Sequence, residues 1–66
     1  MLNMSRKSEE FLKENLPEVI NMKDTNAALD AISTWMQIYG FDSNDDINEP
    51  GREAERVYDD IYIHND

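Results

Sequence analysis

The densest group of side chains that could do chemistry lies between residues 42 and 53, where oxygen donors recur at the spacing of a cation-binding loop. Counted from Asp42, a twelve-residue window places oxygen donors at positions 1, 3, 5 and 12, which are Asp42, Asn44, Asp46 and Glu53. Hard cations such as Ca²⁺ take carboxylate and amide oxygens as ligands, with a bidentate glutamate closing the loop. The four residues are therefore candidate metal ligands.

In this respect the segment resembles the EF-hand calcium loop, and the helices predicted on both sides match the context of that motif. The pattern departs from the motif at three positions. Ile47 stands where a glycine normally permits the sharp turn, Glu49 stands where an apolar residue is expected, and Pro50 follows without an amide hydrogen. The alternative interpretation is an ordinary loop between two helices, and a functional lone EF-hand would need a homodimer.

The acidic charge is concentrated in the second part of the chain. The net charge is −9, and residues 41–66 contribute −7 of it, with nine acidic and two basic side chains. Such a field repels nucleic-acid phosphates and anionic lipids, so we expect neither direct nucleic-acid binding nor membrane binding. It favours a basic protein surface, and the candidate partner-binding residues are Asp42, Asp45, Asp46, Glu49, Glu53, Glu55, Asp59 and Asp60.

Two further interpretations of this acidity stay open. Carboxylates four residues apart on a helix have Cβ atoms about 5–6 Å apart, which is comparable to the phosphate separation along a nucleic-acid strand. Glu49 and Glu53 form one such pair, and Glu55 and Asp59 form another, so the chain could be an acidic DNA-mimic inhibitor from a mobile element. The simpler interpretation is a solvated helix face that keeps a small protein dispersed.

Catalysis is not predicted. A general base needs a nucleophile and an orienting partner in a cleft, and His64, the only histidine, is expected in a fraying segment. The serines have local explanations as helix caps, a helix-surface residue and a loop residue, which are Ser5, Ser8, Ser33 and Ser43. A domain this small is not expected to hold a pocket of the roughly 300 Å³ that a small-molecule site needs. We therefore expect a non-enzymatic accessory or regulatory protein without a cofactor.

The aromatic side chains allow two interpretations. Most side chains of this kind at helical spacing belong to the core, with tyrosine hydroxyls reaching the surface. The same set could instead line an exposed groove for a partner, and a face around Trp35 and Tyr39 could form a structural homodimer. The residues concerned are Trp35, Tyr39, Phe41, Tyr58 and Tyr62.

The elements that position these residues are predicted to be helices. Apolar spacing and capping residues predict helices over about 5–16, 25–39 and 49–62, with a short extra turn after Pro17 and an acidic loop at 41–48. Gly40 is predicted to end the second long helix in a left-handed conformation. The broad apolar face of that helix predicts that it is the central one. The fold class is therefore an all-α, compact three-helix domain.

Length and composition limit the remaining possibilities. A chain of 66 residues forms one domain with a marginal core, so residues 1–66 are treated as a single unit. Without cysteine, disulfides and thiolate metal sites are excluded. We expect neither a secretory signal nor a membrane span, because no apolar run approaches about 20 residues. These features together favour a cytoplasmic protein.

Overall fold

The computed structural model describes residues 2–65, and it confirms the all-α prediction. The described chain forms α1 (Arg6–Asn15), α2 (Pro17–Ile20), α3 (Thr25–Tyr39) and α4 (Glu49–His64). α2 is the short turn expected after Pro17, which occupies its first position because a missing amide hydrogen loses nothing there. The Cα radius of gyration is 11.2 Å, close to the roughly 11 Å expected for a compact chain of this length.

Each of the three longer helices begins at a residue whose side chain can accept hydrogen bonds from unpaired backbone amides. Ser5 caps α1, Asp24 caps α3 and Asn48 caps α4. The first four amides of a helix have no partner within the helix, and such a cap contributes about 1 kcal/mol. The predicted starting points of all three helices are therefore confirmed to within a residue.

α4, and not α3, is the long helix that packs against both of the other long helices. α4 lies between α1 and α3, whereas α3 makes its main contacts with α4 alone. The prediction that α3 is central was wrong, because the outer part of its broad apolar face is left uncovered. The start of α1 meets the end of α4 through Ser8 and Asp60, and the end of α3 meets the start of α4 through Gly40 and Gly51.

The core lies where these three helices and α2 meet. Leu12, Val19, Ile32 and Ile61 are its largest fully buried side chains, one from each helix. Burying a side chain of this size contributes about 1.5–3 kcal/mol. The rest of the core consists of smaller or peripheral apolar residues, which are Leu2, Phe11, Leu16, Ala28, Leu29, Ala54 and Val57.

The end of α3 and the start of α4 touch through two glycines. A Cβ atom built on Gly51 would lie 2.9 Å from the Gly40 carbonyl carbon and would overlap the carbonyl oxygen. Gly40 has a φ of −87°, so the predicted left-handed cap is wrong. Glycine is required at these positions because two backbones approach closely, and not because of an unusual dihedral angle.

Asn48 joins the same two helix ends by hydrogen bonds. Its Oδ1 accepts from the Gly51 amide at 2.8 Å, and its Nδ2 donates to the Tyr39 carbonyl at 2.8 Å. Its backbone amide donates to the Gly40 carbonyl at 2.9 Å. One side chain therefore satisfies an amide of α4 and a carbonyl of α3, and it fixes the angle of the loop between them.

Replacing Asn48 with aspartate and with alanine separates these two functions. Asn48→Asp would keep the cap of α4 but would lose the donor to Tyr39, so we expect a loss of about 0.5–1 kcal/mol in the free energy of unfolding. Asn48→Ala removes both interactions and should cost about 1–2 kcal/mol. Urea denaturation of the three proteins measures this order, and equal stability of all three would contradict it.

The end of α4 is anchored to the start of the chain. α4 continues to His64, two residues past its predicted end, and Asn65 exchanges hydrogen bonds with the backbone of Asn3 at 2.7 and 2.9 Å. The predicted fraying is therefore wrong up to Asn65, because a contact distant in sequence holds the segment. Asp66, the last residue of that segment, lies outside the described residues.

Candidate partner-binding surface

The loop between α3 and α4 is a tight turn organised by Asp42. The Asp42 Oδ1 atom accepts from the amides of Asn44 at 2.9 Å and Asp46 at 3.1 Å. Phe41 and Ile47 pair across the base of the turn as an antiparallel bridge. Asp45 has a φ of 62°, a left-handed conformation that aspartate tolerates better than most residues. These local interactions explain the Asp- and Asn-rich composition of the loop.

The four candidate metal ligands are not gathered around one point. One oxygen of Asp42 is already used by backbone amides, and Glu53 lies on α4 in a groove shared with α1. Among residues 2–65, no three histidine, cysteine, aspartate or glutamate side chains are grouped so that they could hold a metal ion. The geometry therefore gives the cation interpretation no support beyond the sequence pattern.

The eight predicted acidic residues fall into separate groups. Asp42, Asp45 and Asp46 are all exposed on the loop. On α4, Glu49 and Glu53 lie about 120° around the helix from the pair Glu55 and Asp59, so the four carboxylates do not form one face. Within residues 2–65 the ion pairs are Lys13 with Glu9 and His64 with Asp60. The charges of the loop carboxylates are therefore not neutralised by the protein itself.

Asp60 differs from the other seven acidic residues because its carboxylate holds α1 and α4 together. Its Oδ2 atom accepts from the Ser5 amide at 2.8 Å and from the buried Ser8 hydroxyl at 2.6 Å, and its Oδ1 atom lies 2.7 Å from His64 Nδ1. Its side chain is 15% exposed. Burial acts to raise the pKa of Asp60, but the hydrogen bonds from Ser8 and Ser5 and the charge of His64 outweigh it and lower the pKa.

The Ser8–Asp60–His64 group was not predicted from the sequence. The only available signals were the spacing of Ser5 and Ser8 at the start of one helix and of Asp60 and His64 at the end of another. In serine hydrolases the imidazole lies between the hydroxyl and the carboxylate, whereas here the carboxylate lies in the middle. The arrangement joins the start of α1 to the end of α4.

A cluster of exposed apolar side chains lies at the end of α3, next to the acidic loop. Ile38 is 63% exposed, Tyr39 is 59% exposed and Phe41 is 45% exposed. The core interpretation of the aromatic residues is therefore wrong for Tyr39 and Phe41, while Ile47 is half-buried. Large apolar side chains that share a surface with uncompensated charge are typical of binding sites for other proteins.

A second groove and two further exposed apolar residues lie away from the loop. A groove of about 260 Å³ between α1 and α4 carries both signs of charge, with Lys7 and Arg56 opposite Glu53 and Asp60. Tyr62 and Ile63 are exposed at the end of α4, which is the opposite end of the molecule from the loop. No helix within residues 2–65 combines the length and apolar character needed to cross a membrane.

Comparison with known proteins gives no relative from which a function could be inferred. No protein-family model, curated protein or solved structure matches the chain.

Proposed function

We propose that this chain is a small non-enzymatic protein that binds a basic surface of another protein through the α3–α4 end. This surface consists of the loop carboxylates Asp42, Asp45 and Asp46 and the exposed apolar residues Ile38, Tyr39 and Phe41. The observation that carries the proposal is their combination at one end, with no basic side chain paired to the loop within residues 2–65.

The two kinds of residue have different roles in such an interface. Burial of Tyr39 and Phe41 supplies binding energy, since aromatic residues are the usual anchors of protein interfaces. The carboxylates accelerate association with a positively charged partner and reject negatively charged ones. The turn that Asp42 organises holds these carboxylates in place, so little conformational entropy is lost on binding. The partner is therefore a cationic segment that also carries apolar side chains, and the cytoplasm is the proposed compartment.

The other functions have weaker support. A DNA mimic would present its charges in a line, but the carboxylates of α4 lie on two sides of the helix. In a symmetric homodimer built on the face around Trp35 and Tyr39, the same surface of each copy meets its counterpart. Such a dimer would bring two acidic loops together, and their repulsion opposes it.

A titration with a lysine- and leucine-containing amphipathic helical peptide tests the proposal. In spectra of the ¹⁵N-labelled protein, we expect amide shifts to concentrate at residues 38–46. We expect affinity to fall about tenfold or more between low and high salt, because exposed charges are screened. The double change Asp45→Asn and Asp46→Asn should weaken binding by about three- to tenfold, since each exposed ion pair contributes up to about 1 kcal/mol.

The matched control removes two charges at the other end of the molecule. Asp30 and Asp59 are both exposed, and changing both to asparagine alters the net charge equally without touching the loop. Equal weakening by both double variants would show a general charge effect and would contradict the proposed surface. So would salt-independent binding, or shifts centred on Tyr62 and Ile63.

A further inference from the structure

Trp35 and Tyr39 form an aromatic wall beside the acidic loop. Their ring centroids are 5.4 Å apart and their planes are inclined at 45°. Phe11 packs on the other side of Trp35 with an edge-to-face geometry, at a centroid distance of 5.4 Å. Trp35 is therefore held in place by the core, while Tyr39 is mostly exposed.

This wall belongs to an open groove of about 550 Å³ between the end of α1, the end of α3 and the start of α4. The groove is completed by Glu14, Asn15 and Pro50. The Glu14 side chain is exposed and forms no ion pair with another described residue. The side-chain Nδ2 atom of Asn15 donates to the Phe11 carbonyl at 3.0 Å. The Oδ1 atom of Asn15 is therefore left as an acceptor.

We infer that this groove receives an arginine side chain of the basic partner, an inference that rests on the proposed function. A guanidinium group stacks on aromatic rings and also donates hydrogen bonds in its own plane. The groove supplies both requirements, with the Trp35–Tyr39 wall for stacking and the oxygens of Glu14 and Asn15 as acceptors. The residues that line it include no cation that would compete.

Arginine fits this site better than lysine does. A lysine ammonium is strongly hydrated and has no planar surface to stack, so it would gain from Glu14 but less from the rings. The groove also adjoins the loop, because Tyr39 precedes it and Pro50 follows it in the chain. Basic residues flanking the arginine would therefore reach Asp45 and Asp46, and the arginine would fix the position of the bound segment.

Trp35 is the only tryptophan in the chain, so its fluorescence reports directly on the groove. Three blocked peptides serve as probes, each with flanking lysines and glycines and with arginine, lysine or citrulline at the centre. Citrulline has nearly the shape of arginine but no charge. We expect the arginine peptide to change Trp35 fluorescence and to bind about tenfold more tightly than the citrulline peptide, with the lysine peptide in between.

Two exposed residues of the groove can be changed without removing core contacts. Tyr39→Leu should weaken the arginine peptide by about threefold, and Glu14→Gln should weaken it by about two- to threefold. Matched controls are Tyr62→Leu and Glu10→Gln, which alter exposed residues of the same types outside the groove. The affinity of the control variants should stay within about twofold of the unmodified protein.

The outcomes separate this inference from the proposed function. If all three peptides bind equally, give shifts at the loop and are unaffected by Glu14→Gln, the arginine site is wrong and the acidic surface stands. Equal affinity of the lysine and arginine peptides overturns the preference for arginine. If no cationic peptide binds, the proposed function and the arginine site both fail.

Discussion

Replacing Gly51 with alanine should lower the free energy of unfolding by about 3 kcal/mol, although alanine is normally the better helix residue by about 1 kcal/mol. Gly51 lies in the first turn of α4, and any Cβ there would overlap the Gly40 carbonyl oxygen. That oxygen accepts a hydrogen bond from the Asn48 amide at 2.9 Å. The chain can relieve the overlap only by separating α3 from α4, which breaks this bond and loosens the main helix contact of the fold.

Chemical denaturation followed by Trp35 fluorescence measures this effect. Glu55→Ala is the control, because it introduces alanine at an exposed position of the same helix and should change stability by less than about 0.5 kcal/mol. If Gly51→Ala were neutral or stabilising, the gain from the higher helix propensity of alanine would exceed the steric cost of its Cβ atom against Gly40. The backbone contact described here would then be wrong.

Replacing Asp60 with alanine should cost about 2–3 kcal/mol of stability. The change removes the acceptor of the Ser8 hydroxyl, which is buried, and of the Ser5 amide at the start of α1. The Ser8 hydroxyl would keep only its longer contact with the Ser5 hydroxyl, at 3.2 Å, and a buried hydroxyl that loses its best partner is destabilising because it has also lost its hydration. Asp60→Asn keeps an oxygen that can accept these hydrogen bonds but loses the charge, so its cost should be smaller, about 1 kcal/mol.

The stabilisation from Asp60 should also depend on pH. Because the folded protein lowers the pKa of Asp60, the carboxylate contributes fully above its unfolded pKa of about 3.9. That contribution is lost as the pH falls through the folded pKa, when the group becomes protonated in both states. The stability difference between the unmodified protein and Asp60→Asn should therefore shrink below about pH 4.

Urea denaturation of both proteins from pH 7 to pH 3 measures this difference. Subtracting the Asp60→Asn curve removes the contributions that the two proteins share. Asp59→Asn is the matched control, since Asp59 is exposed and adjacent in sequence. A difference for Asp60→Asn that grows as the pH falls below about 4 would contradict the lowered pKa.

The helices could be predicted from the sequence because the signals that define them are local. Asp24 and Asn48 cap helices through amides two or three residues away, and Pro17 ends one helix and begins another. The candidate surface was predicted only in part. The exposed loop carboxylates follow from composition and turn chemistry, but the exposure of Tyr39 and Phe41 depends on which helices cover α3.

The contacts between helices could not be predicted in the same way. Gly40 was predicted to be a left-handed cap because that is the common reason for glycine at a helix end. A Cβ atom there would instead meet the Met36 carbonyl oxygen and, across the helix contact, the Cα atom of Gly51, eleven residues away. Asp60 was predicted to be one of eight similar surface carboxylates, and Ser8 was predicted to be a helix cap. Nothing in either local pattern indicates that they meet.

Local sequence patterns define the helical class, the starting points of the helices and the acidic loop with its exposed carboxylates. These features depend on interactions within a few residues, whose geometry the backbone fixes. The position of Asp60 against Ser8 and the groove at Trp35 and Tyr39 depend instead on how α1 and α3 pack against α4. They are contacts between residues distant in sequence, so local patterns do not reveal them.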